Sequence, residues 1–173
     1  RWIDTICDLA FLLMDLEANG QFRWAHRLLN RYLELTGDYK SLKLLNFYKA
    51  YRAMVRAKVA MLGEHPDLET FRRYLKLAQH YARTPTPALL LMHGLSGSGK
   101  STLARALAPE LGRAPGTVVV RSDVVRKPLS GGDLFARLPA DAYTRESSRA
   151  VFCRIAEICG DALAAGVSAI PGG

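Results

Sequence analysis

Gly94-Leu95-Ser96-Gly97-Ser98-Gly99-Lys100-Ser101 is the stretch of sequence that decides the fold. It satisfies the pattern G-x-x-x-x-G-K-[ST], in which glycines let the backbone curl so that its N–H groups point inward. A loop of this kind surrounds the phosphates of a nucleotide, and the positive end of the following helix adds to the attraction. The pattern predicts that Lys100 reaches the β- and γ-phosphates and that the Ser101 hydroxyl binds Mg²⁺.

The sequence on either side of this phosphate loop (P-loop) agrees with that prediction. A short apolar run over residues 88–93 predicts a buried strand before the loop, and residues 98–111 have the pattern of a helix. The alternative is a Gly/Ser-rich loop that only joins a strand to a helix, and the correct flanks disfavour it. The predicted ATP-binding residues are Gly94, Leu95, Ser96, Gly97, Ser98, Gly99, Lys100, Ser101 and Thr102.

A second predicted strand, over residues 117–121, is followed by Asp123 and Arg126. Ligands of open parallel sheets bind at the carboxyl ends of the strands. Asp123 is therefore a candidate base for the proton of an attacking hydroxyl, and Arg126 a candidate to hold substrate or phosphate charge. The alternative places Asp123 as a helix cap and Arg126 on the surface. A helix over 141–165 and a strand over 167–170 complete a strand–helix alternation that predicts a parallel α/β sheet.

Residues 2–81 have helical periodicity throughout, and four helices are predicted there. The predicted apolar stripe of the third helix consists of Leu44, Tyr48, Tyr51, Val55, Val59 and Leu62. Lys49, Arg52 and Arg56 lie on another face of that helix. A solvated surface is the simpler interpretation of this basic face, and a nucleic-acid interface is the alternative.

The charge of the chain is spread along its length. Of 173 residues, 49% are hydrophobic and 23% charged, which excludes a wholly disordered chain. The net charge is +8, with 14 basic and 9 acidic residues in 1–86 and 10 and 7 in 87–173. No basic arm or tail is present, so most of the excess is expected to be solvated surface.

The cysteines and the hydropathy restrict the class of protein further. Cys7, Cys153 and Cys159 form no CxxC pair, which favours reduced thiols over a metal centre or a disulfide framework. The longest apolar run covers six residues, 9–14, whereas a membrane span needs about 20. We therefore expect a cytoplasmic protein with no membrane segment.

A Pro/Thr-rich stretch over residues 83–87 predicts an extended linker, because proline lacks the backbone donor that a helix needs. The predicted organisation is a helical segment over 1–82, the linker, and a P-loop domain over 88–173. The expected fold class is an α/β P-loop NTPase with an incomplete parallel sheet, preceded by an all-α segment.

Further motifs are spread over nearly the whole chain. They are Arg1-Trp2-Ile3-Asp4, Asp8-Leu9-Ala10-Phe11-Leu12, Met14-Asp15-Leu16-Glu17, Arg31-Tyr32-Leu33-Glu34, Thr36-Gly37-Asp38-Tyr39, Tyr51-Arg52-Ala53, Val55-Arg56-Ala57-Lys58, Arg121-Ser122-Asp123-Val124 and Arg126-Lys127. With the P-loop, this set resembles bacterial bifunctional aminoglycoside phosphotransferase/ATP-binding proteins. In that family an aminoglycoside-phosphotransferase-like domain precedes a P-loop domain similar to gluconate and zeta-toxin-type kinases. The resemblance implies that residues 1–82 are the C-terminal part of the first domain.

The sequence departs from that family at two places. The His-x-Asp loop and the metal-binding Asp of the phosphotransferase-like domain have no counterpart, so no catalytic role is carried onto residues 1–86. Residues 167–173 lack the acid that the family has at the end of its third strand, the Walker B position. We expect a fragment that is inactive or weakly active alone, with a small sheet whose edge is exposed.

The function predicted for the intact protein is transfer of the γ-phosphoryl group of Mg·ATP to the hydroxyl of a small molecule. Lys100 would stabilise the phosphoryl charge and Asp123 would act as base. The first alternative is a nucleotide-dependent regulatory ATPase or switch that phosphorylates no acceptor. The second is a basic helical module that binds nucleic acid through Lys49, Arg52 and Arg56.

Overall fold

The computed structural model describes residues 4–62, 64–83, 86–95, 97–112, 114–129 and 144–172. The predicted contact of Ser96 with a nucleotide and the predicted helix start at residues 141–143 lie outside the described residues. No described helix is both long and apolar enough to cross a membrane.

The N-terminal segment contains four α-helices joined by short connections. They are α1 (Thr5–Ala18), α2 (Phe22–Thr36), α3 (Leu42–Ala60) and α4 (Leu68–Ala82), with a 3₁₀ turn at Tyr39–Ser41 before α3. Local sequence sets several of these ends. The Asp4 carboxylate accepts the Ile6 N–H at the start of α1, and the Asp67 carboxylate accepts the Thr70 N–H at the start of α4. Gly37 ends α2 with a φ of 69°, a left-handed conformation that glycine adopts without strain.

The P-loop segment alternates helices with parallel strands. Its elements are α5 (Lys100–Leu107), β1 (Val118–Arg121), α6 (Ser122–Leu129), α7 (Arg145–Ala164) and β2 (Ala169–Gly172). β1 and β2 pair in parallel, with Val118 opposite Ala169. Residues 88–92 run along the other side of β2, where the Leu90 N–H donates to Ala169 O at 3.0 Å. β2 therefore lies between β1 and the segment that leads into the P-loop, and the small parallel sheet expected from the sequence is confirmed.

Helix α2 covers the outer edge of β1. The Val118 N–H donates inward to Ser168 O, so the alternating groups of residues 117 and 119 point away from β2. Asn30 Oδ1 accepts the Val119 N–H at 2.8 Å, and His26 Nε2 bonds Thr117 O at 2.9 Å. β1 is therefore not an exposed edge of the sheet, because two α2 side chains bond the backbone along its outer side. On the outer side of residues 88–92, the described part of the chain places no strand.

One cluster of buried residues joins the helical segment to the P-loop segment. Its large members from the helices are Ile6, Leu13, Leu29, Leu33, Leu42 and Leu45, and those from the P-loop segment are Val118, Val120, Val151, Ile155 and Ile158. Burial of apolar side chains is the main stabilising term of a fold. The two segments on either side of the predicted linker therefore depend on a common core.

Helix α3 buries the opposite face from the one that its apolar stripe predicts. Leu44, Tyr51, Val55, Val59 and Leu62 of that stripe are exposed, with fractional exposures from 36% for Leu44 to 70% for Leu62. The buried α3 residues are Leu42, Leu45, Lys49, Ala53 and Ala57. The two small alanines allow α1 and α4 to approach α3 closely, which leaves the bulkier stripe outside.

Lys49 is fully buried because an acid and an aromatic ring surround its ammonium group. Lys49 Nζ donates to Glu17 Oε1 at 2.6 Å and lies 4.2 Å from the centre of the Tyr81 ring. The Tyr81 hydroxyl donates to Glu17 Oε2 at 2.7 Å. We call these three residues, from α1, α3 and α4, the buried ion cluster.

The predicted basic face on α3 is therefore wrong for Lys49, whereas Arg56 is exposed. Lys49 is inside the protein, and the Arg52 guanidinium contacts Cys7 Sγ at 3.4 Å. Arg56 pairs with Asp15 at 2.8 Å. Burial removes Lys49 from the predicted nucleic-acid interface, and binding through Arg52 and Arg56 stays a prediction.

We expect the fold to become less stable at pH values below about 6.5, because His26 is buried. Burial lowers the pKa of His26 from its ordinary 6.5, against a weaker raising effect of its bond to the Thr117 carbonyl. The unfolded chain then binds a proton more readily than the folded one as the pH falls from 6.5 to the lower folded pKa. The free energy of unfolding, measured with urea between pH 7.5 and 5, should have its full value above pH 6.5 and decrease as the pH falls below 6.5.

His26→Gln is the matched control for this pH dependence. Glutamine keeps a side-chain N–H that can donate to Thr117 O but does not titrate. The free energy of unfolding of His26→Gln should decrease less between pH 6.5 and 5 than that of the wild type. Equal slopes for the two proteins would show that His26 does not cause the effect.

Candidate functional site

The P-loop curls through three glycines with positive φ. The values are 148° at Gly94, 78° at Gly97 and 84° at Gly99, which immediately precedes α5. Residues other than glycine rarely adopt positive φ angles. At Gly94 an added Cβ would also lie 3.2 Å from Ser98 Oγ. The conformation of the loop therefore requires the glycines that the motif supplies.

Lys100 is the first residue of α5 and folds back over the loop. Its Nζ donates to Gly94 O at 2.9 Å and to Leu95 O at 2.7 Å. Leu95 is 84% exposed, and Gly97, Ser98 and Gly99 are exposed as well. The ammonium group is thus held at an open loop that also stands at the positive end of α5, which is an arrangement suited to a phosphate chain.

The donors near the loop fit Mg²⁺ bound mainly through phosphates and water. Ser101 lies in the first turn of α5, is half-buried and offers a hydroxyl oxygen; Thr102 beside it is exposed. Among the described residues, no group of three or more His, Cys, Asp or Glu residues could hold a metal ion. Mg²⁺ commonly retains several waters and takes few protein ligands, so one hydroxyl next to bound phosphates suits it.

Asp123 lies at the same edge of the sheet as the P-loop. Asp123 is in the first turn of α6, directly after β1, and the P-loop directly follows residues 88–92. Both β1 and residues 88–92 pair in parallel with β2, so their carboxyl ends lie at the same edge of the sheet. The Asp123 carboxylate is exposed, and its Oδ2 accepts from Arg121 Nη2 at 2.5 Å. Its Oδ1 has no hydrogen-bond partner in the described part of the structure.

Arg121 lies at this same edge, and its position in the sequence predicted no role for it. Besides Asp123, its guanidinium pairs with Glu34 of α2 at 3.8 Å. The signal available in the sequence was the two-residue spacing of Arg121 and Asp123 at a strand end. The contact with Glu34, 87 residues away in the chain, had no such signal.

Arg126 lies against the start of α7. It is 7% exposed, and its guanidinium donates to Ser147 Oγ at 3.2 Å and to Ser148 Oγ at 3.5 Å. It is therefore not the surface residue of the alternative interpretation. Its predicted role in holding substrate charge stays a prediction.

The comparisons with known proteins agree with the P-loop assignment. The family model described as "AAA domain" matches residues 89–171. Over 133 residues, 75% of this chain, the sequence is 38% identical to the uncharacterized protein Rv2004c of Mycobacterium tuberculosis and to the uncharacterized protein Mb2027c of Mycobacterium bovis. The match covers 26% of each relative, so this chain spans about a quarter of their length. No solved structure matches the chain significantly.

Residues 89–171 are thus similar to P-loop NTPase-like AAA domains, in the region that contains the loop, Asp123 and β2. That similarity indicates a nucleotide-binding domain of the kinase or ATPase kind.

Proposed function

We propose that the intact protein binds Mg·ATP at the P-loop and transfers the γ-phosphoryl group to the hydroxyl of a small molecule. The observation that carries the proposal is the position of the Lys100 ammonium, held against Gly94 O and Leu95 O at the mouth of an open loop. An anion that enters the loop can take over this ammonium from the two neutral carbonyls. The match of residues 89–171 to an AAA domain supports the nucleotide as the anion.

The loop and Lys100 would act mainly on charge. Backbone N–H groups of the loop and the Lys100 ammonium would stabilise the negative charge of the phosphates, and transfer of a phosphoryl group depends largely on such stabilisation. Mg²⁺ held beside the Ser101 hydroxyl would neutralise phosphate charge when bound.

Asp123 would act on the acceptor. Its Oδ1 can accept the acceptor's proton while Arg121 holds Oδ2, which keeps the carboxylate oriented. The acceptor oxygen then forms a bond to the γ-phosphorus as the bond to the bridging oxygen of ADP breaks. The proton from the acceptor ends on Asp123, and ADP leaves with the bridging electron pair.

The assignment of the helical segment is part of the same proposal. We assign residues 1–82 to the C-terminal part of an aminoglycoside-phosphotransferase-like domain, 83–87 to a linker and 88–173 to the kinase-like domain, in a cytoplasmic protein. The motifs spread along the chain support this assignment, and the common core is compatible with it.

Asp123→Asn is expected to separate transfer from nucleotide binding. Without the base, phosphoryl transfer by the intact protein should fall by about 10²- to 10⁴-fold, while ATP affinity and slow hydrolysis to ADP persist. The measurement follows γ-labelled phosphate from ATP into a panel of sugars, sugar acids and aminoglycosides. Asp8→Asn, an exposed change on α1, is the matched control.

Two outcomes would contradict the proposal at different points. If Asp123→Asn transfers phosphate as fast as the wild type, Asp123 is not the base. If the wild type hydrolyses ATP but labels no member of the panel, the regulatory ATPase becomes the better description.

A further inference from the structure

A groove lined by arginines lies between α2, α5 and the end of β1. Its volume is about 570 Å³, within the usual range of small-molecule sites. Five arginines from three elements line it: Arg23, Arg27 and Arg31 of α2, Arg105 of α5 and Arg121 of β1. The three on α2 are four residues apart and so follow one face of the helix, about 6 Å from one to the next. We call this cavity the arginine groove.

The carboxylates around the groove do not balance its charge. Arg23 pairs with Glu110 at 3.0 Å, and both side chains are mostly exposed, so this pair holds neither group firmly. Glu34 is shared between Arg31, at 3.4 Å, and Arg121. With Asp123 on Arg121, the ion pairs of the described residues place three carboxylates against Arg23, Arg31 and Arg121, which leaves two of the five arginines without one.

These two arginines are Arg27 and Arg105. Arg27 stacks at 5.7 Å over the ring of Trp24, which is 60% exposed, and it has no carboxylate partner among the described residues. Arg105 has none within the same described part of the chain, and it too is exposed. They belong to two different helices that line the groove, α2 and α5, so a ligand between these helices can contact both.

The chemistry of the groove favours phosphate groups. Guanidinium groups offer forked donors that match phosphate oxygens, and several of them around one cavity favour a ligand with several negative charges. None of the residues that line the groove belongs to the P-loop. Arg105 is five residues beyond Lys100, about 7.5 Å along the axis of α5. The groove is therefore a separate place from the loop, although both use α5.

We infer that the arginine groove is a second anion site, which binds a ligand carrying two or more phosphate groups independently of the P-loop. Arg27 of α2 and Arg105 of α5 bind the ligand, and Glu34 holds the guanidinium groups of Arg31 and Arg121 beside it. The inference stands on the groove alone and does not depend on phosphoryl transfer.

Calorimetric titration with inorganic tripolyphosphate, without Mg²⁺, tests this inference. Lys100→Ala serves as the background, because it removes the cation of the P-loop and leaves the groove intact. In that background, Arg27→Ala/Arg105→Ala removes the two unmatched charges. Arg72→Ala/Lys76→Ala, on α4, removes the same charge from exposed positions outside the groove. Circular dichroism confirms that each variant is folded.

We expect the Lys100→Ala protein to bind tripolyphosphate and the Arg27→Ala/Arg105→Ala change to weaken binding by at least about tenfold, as loss of charge-assisted hydrogen bonds should. The α4 control should change affinity by less than about twofold. The inference is overturned if the background binds no tripolyphosphate, if the groove change has no effect, or if the α4 change weakens binding as much.

A second probe identifies the source of the phosphates. A single-stranded oligothymidylate that binds the same protein more tightly than tripolyphosphate, with the same dependence on Arg27 and Arg105, would identify a nucleic-acid strand as the ligand. Weaker binding of the oligonucleotide would identify a small polyphosphorylated molecule. Either result supports the site. Loss of ATP affinity in Lys100→Ala tests the P-loop alone and says nothing about the arginine groove.

Discussion

Lys100→Ala should reduce the affinity of the intact protein for ATP by at least about 100-fold. The ammonium is the charged side chain that the structure holds at the loop, and a charge-assisted hydrogen bond contributes about 1.5–3 kcal/mol. Because the Lys100 ammonium is expected to contact two phosphates, the expected loss of binding free energy is the sum of two such bonds. Equilibrium dialysis or calorimetry with Mg·ATP measures it.

The same change should leave the fold intact. Among the described residues, Lys100 bonds only to carbonyls of its own loop, whereas the buried residue of α5 is Ala104. The melting temperature should therefore stay close to that of the wild type. Lys76→Ala, an exposed lysine on α4, controls for the loss of one positive charge. ATP affinity within threefold of the wild type in Lys100→Ala would overturn the assignment of the loop.

The second large effect concerns the buried ion cluster. Lys49→Met should lower the free energy of unfolding by about 3–5 kcal/mol, because it leaves the Glu17 carboxylate in the interior without its cation. Urea denaturation at pH 7 measures the change. Glu17→Gln combined with Lys49→Met should recover part of the loss, since the neutral amide can still accept the Tyr81 hydroxyl.

Arg56→Met is the matched control, on the same helix as Lys49. Its ion pair with Asp15 is partly exposed, with 43% of the Arg56 side chain in contact with solvent, so the loss should stay below about 1 kcal/mol. A cost for Lys49→Met no larger than that for Arg56→Met would mean that burial does not set the energy of the cluster.

The P-loop could be predicted from sequence because its determinants are local. Each glycine is required by the backbone angle at its own position, and Lys100 contacts carbonyls only five and six residues away. Asp123 at a strand end is local information of the same kind.

The face of α3 could not be predicted, because its determinants are distant in sequence. Periodicity shows where apolar residues lie, but α3 has them on two faces. The choice between the faces depends on Glu17, 32 residues before Lys49, and on small alanines that let neighbouring helices approach. A lysine counted as surface charge thus becomes a core residue through one distant partner.

The contacts between the helical segment and the P-loop segment could not be predicted from sequence for the same reason. Asn30 and His26 look like ordinary polar residues of a helix, and their partners, Val119 in β1 and Thr117 just before it, lie 89 and 91 residues further along the chain. The arginine groove likewise combines a visible series on α2 with Arg105 and Arg121, which no local pattern relates to it.

The position of α2 on β1 determines the direction in which this sheet can enlarge. A parallel sheet gains strands only where backbone donors and acceptors are unoccupied, and Asn30 and His26 already occupy those of Val119 and Thr117. Within the described residues, any additional strand has to pair beside residues 88–92, where Leu91 is 73% exposed. Growth of the sheet is therefore one-sided: residues 88–92 become an interior strand beside β2, and β1 stays the outer boundary.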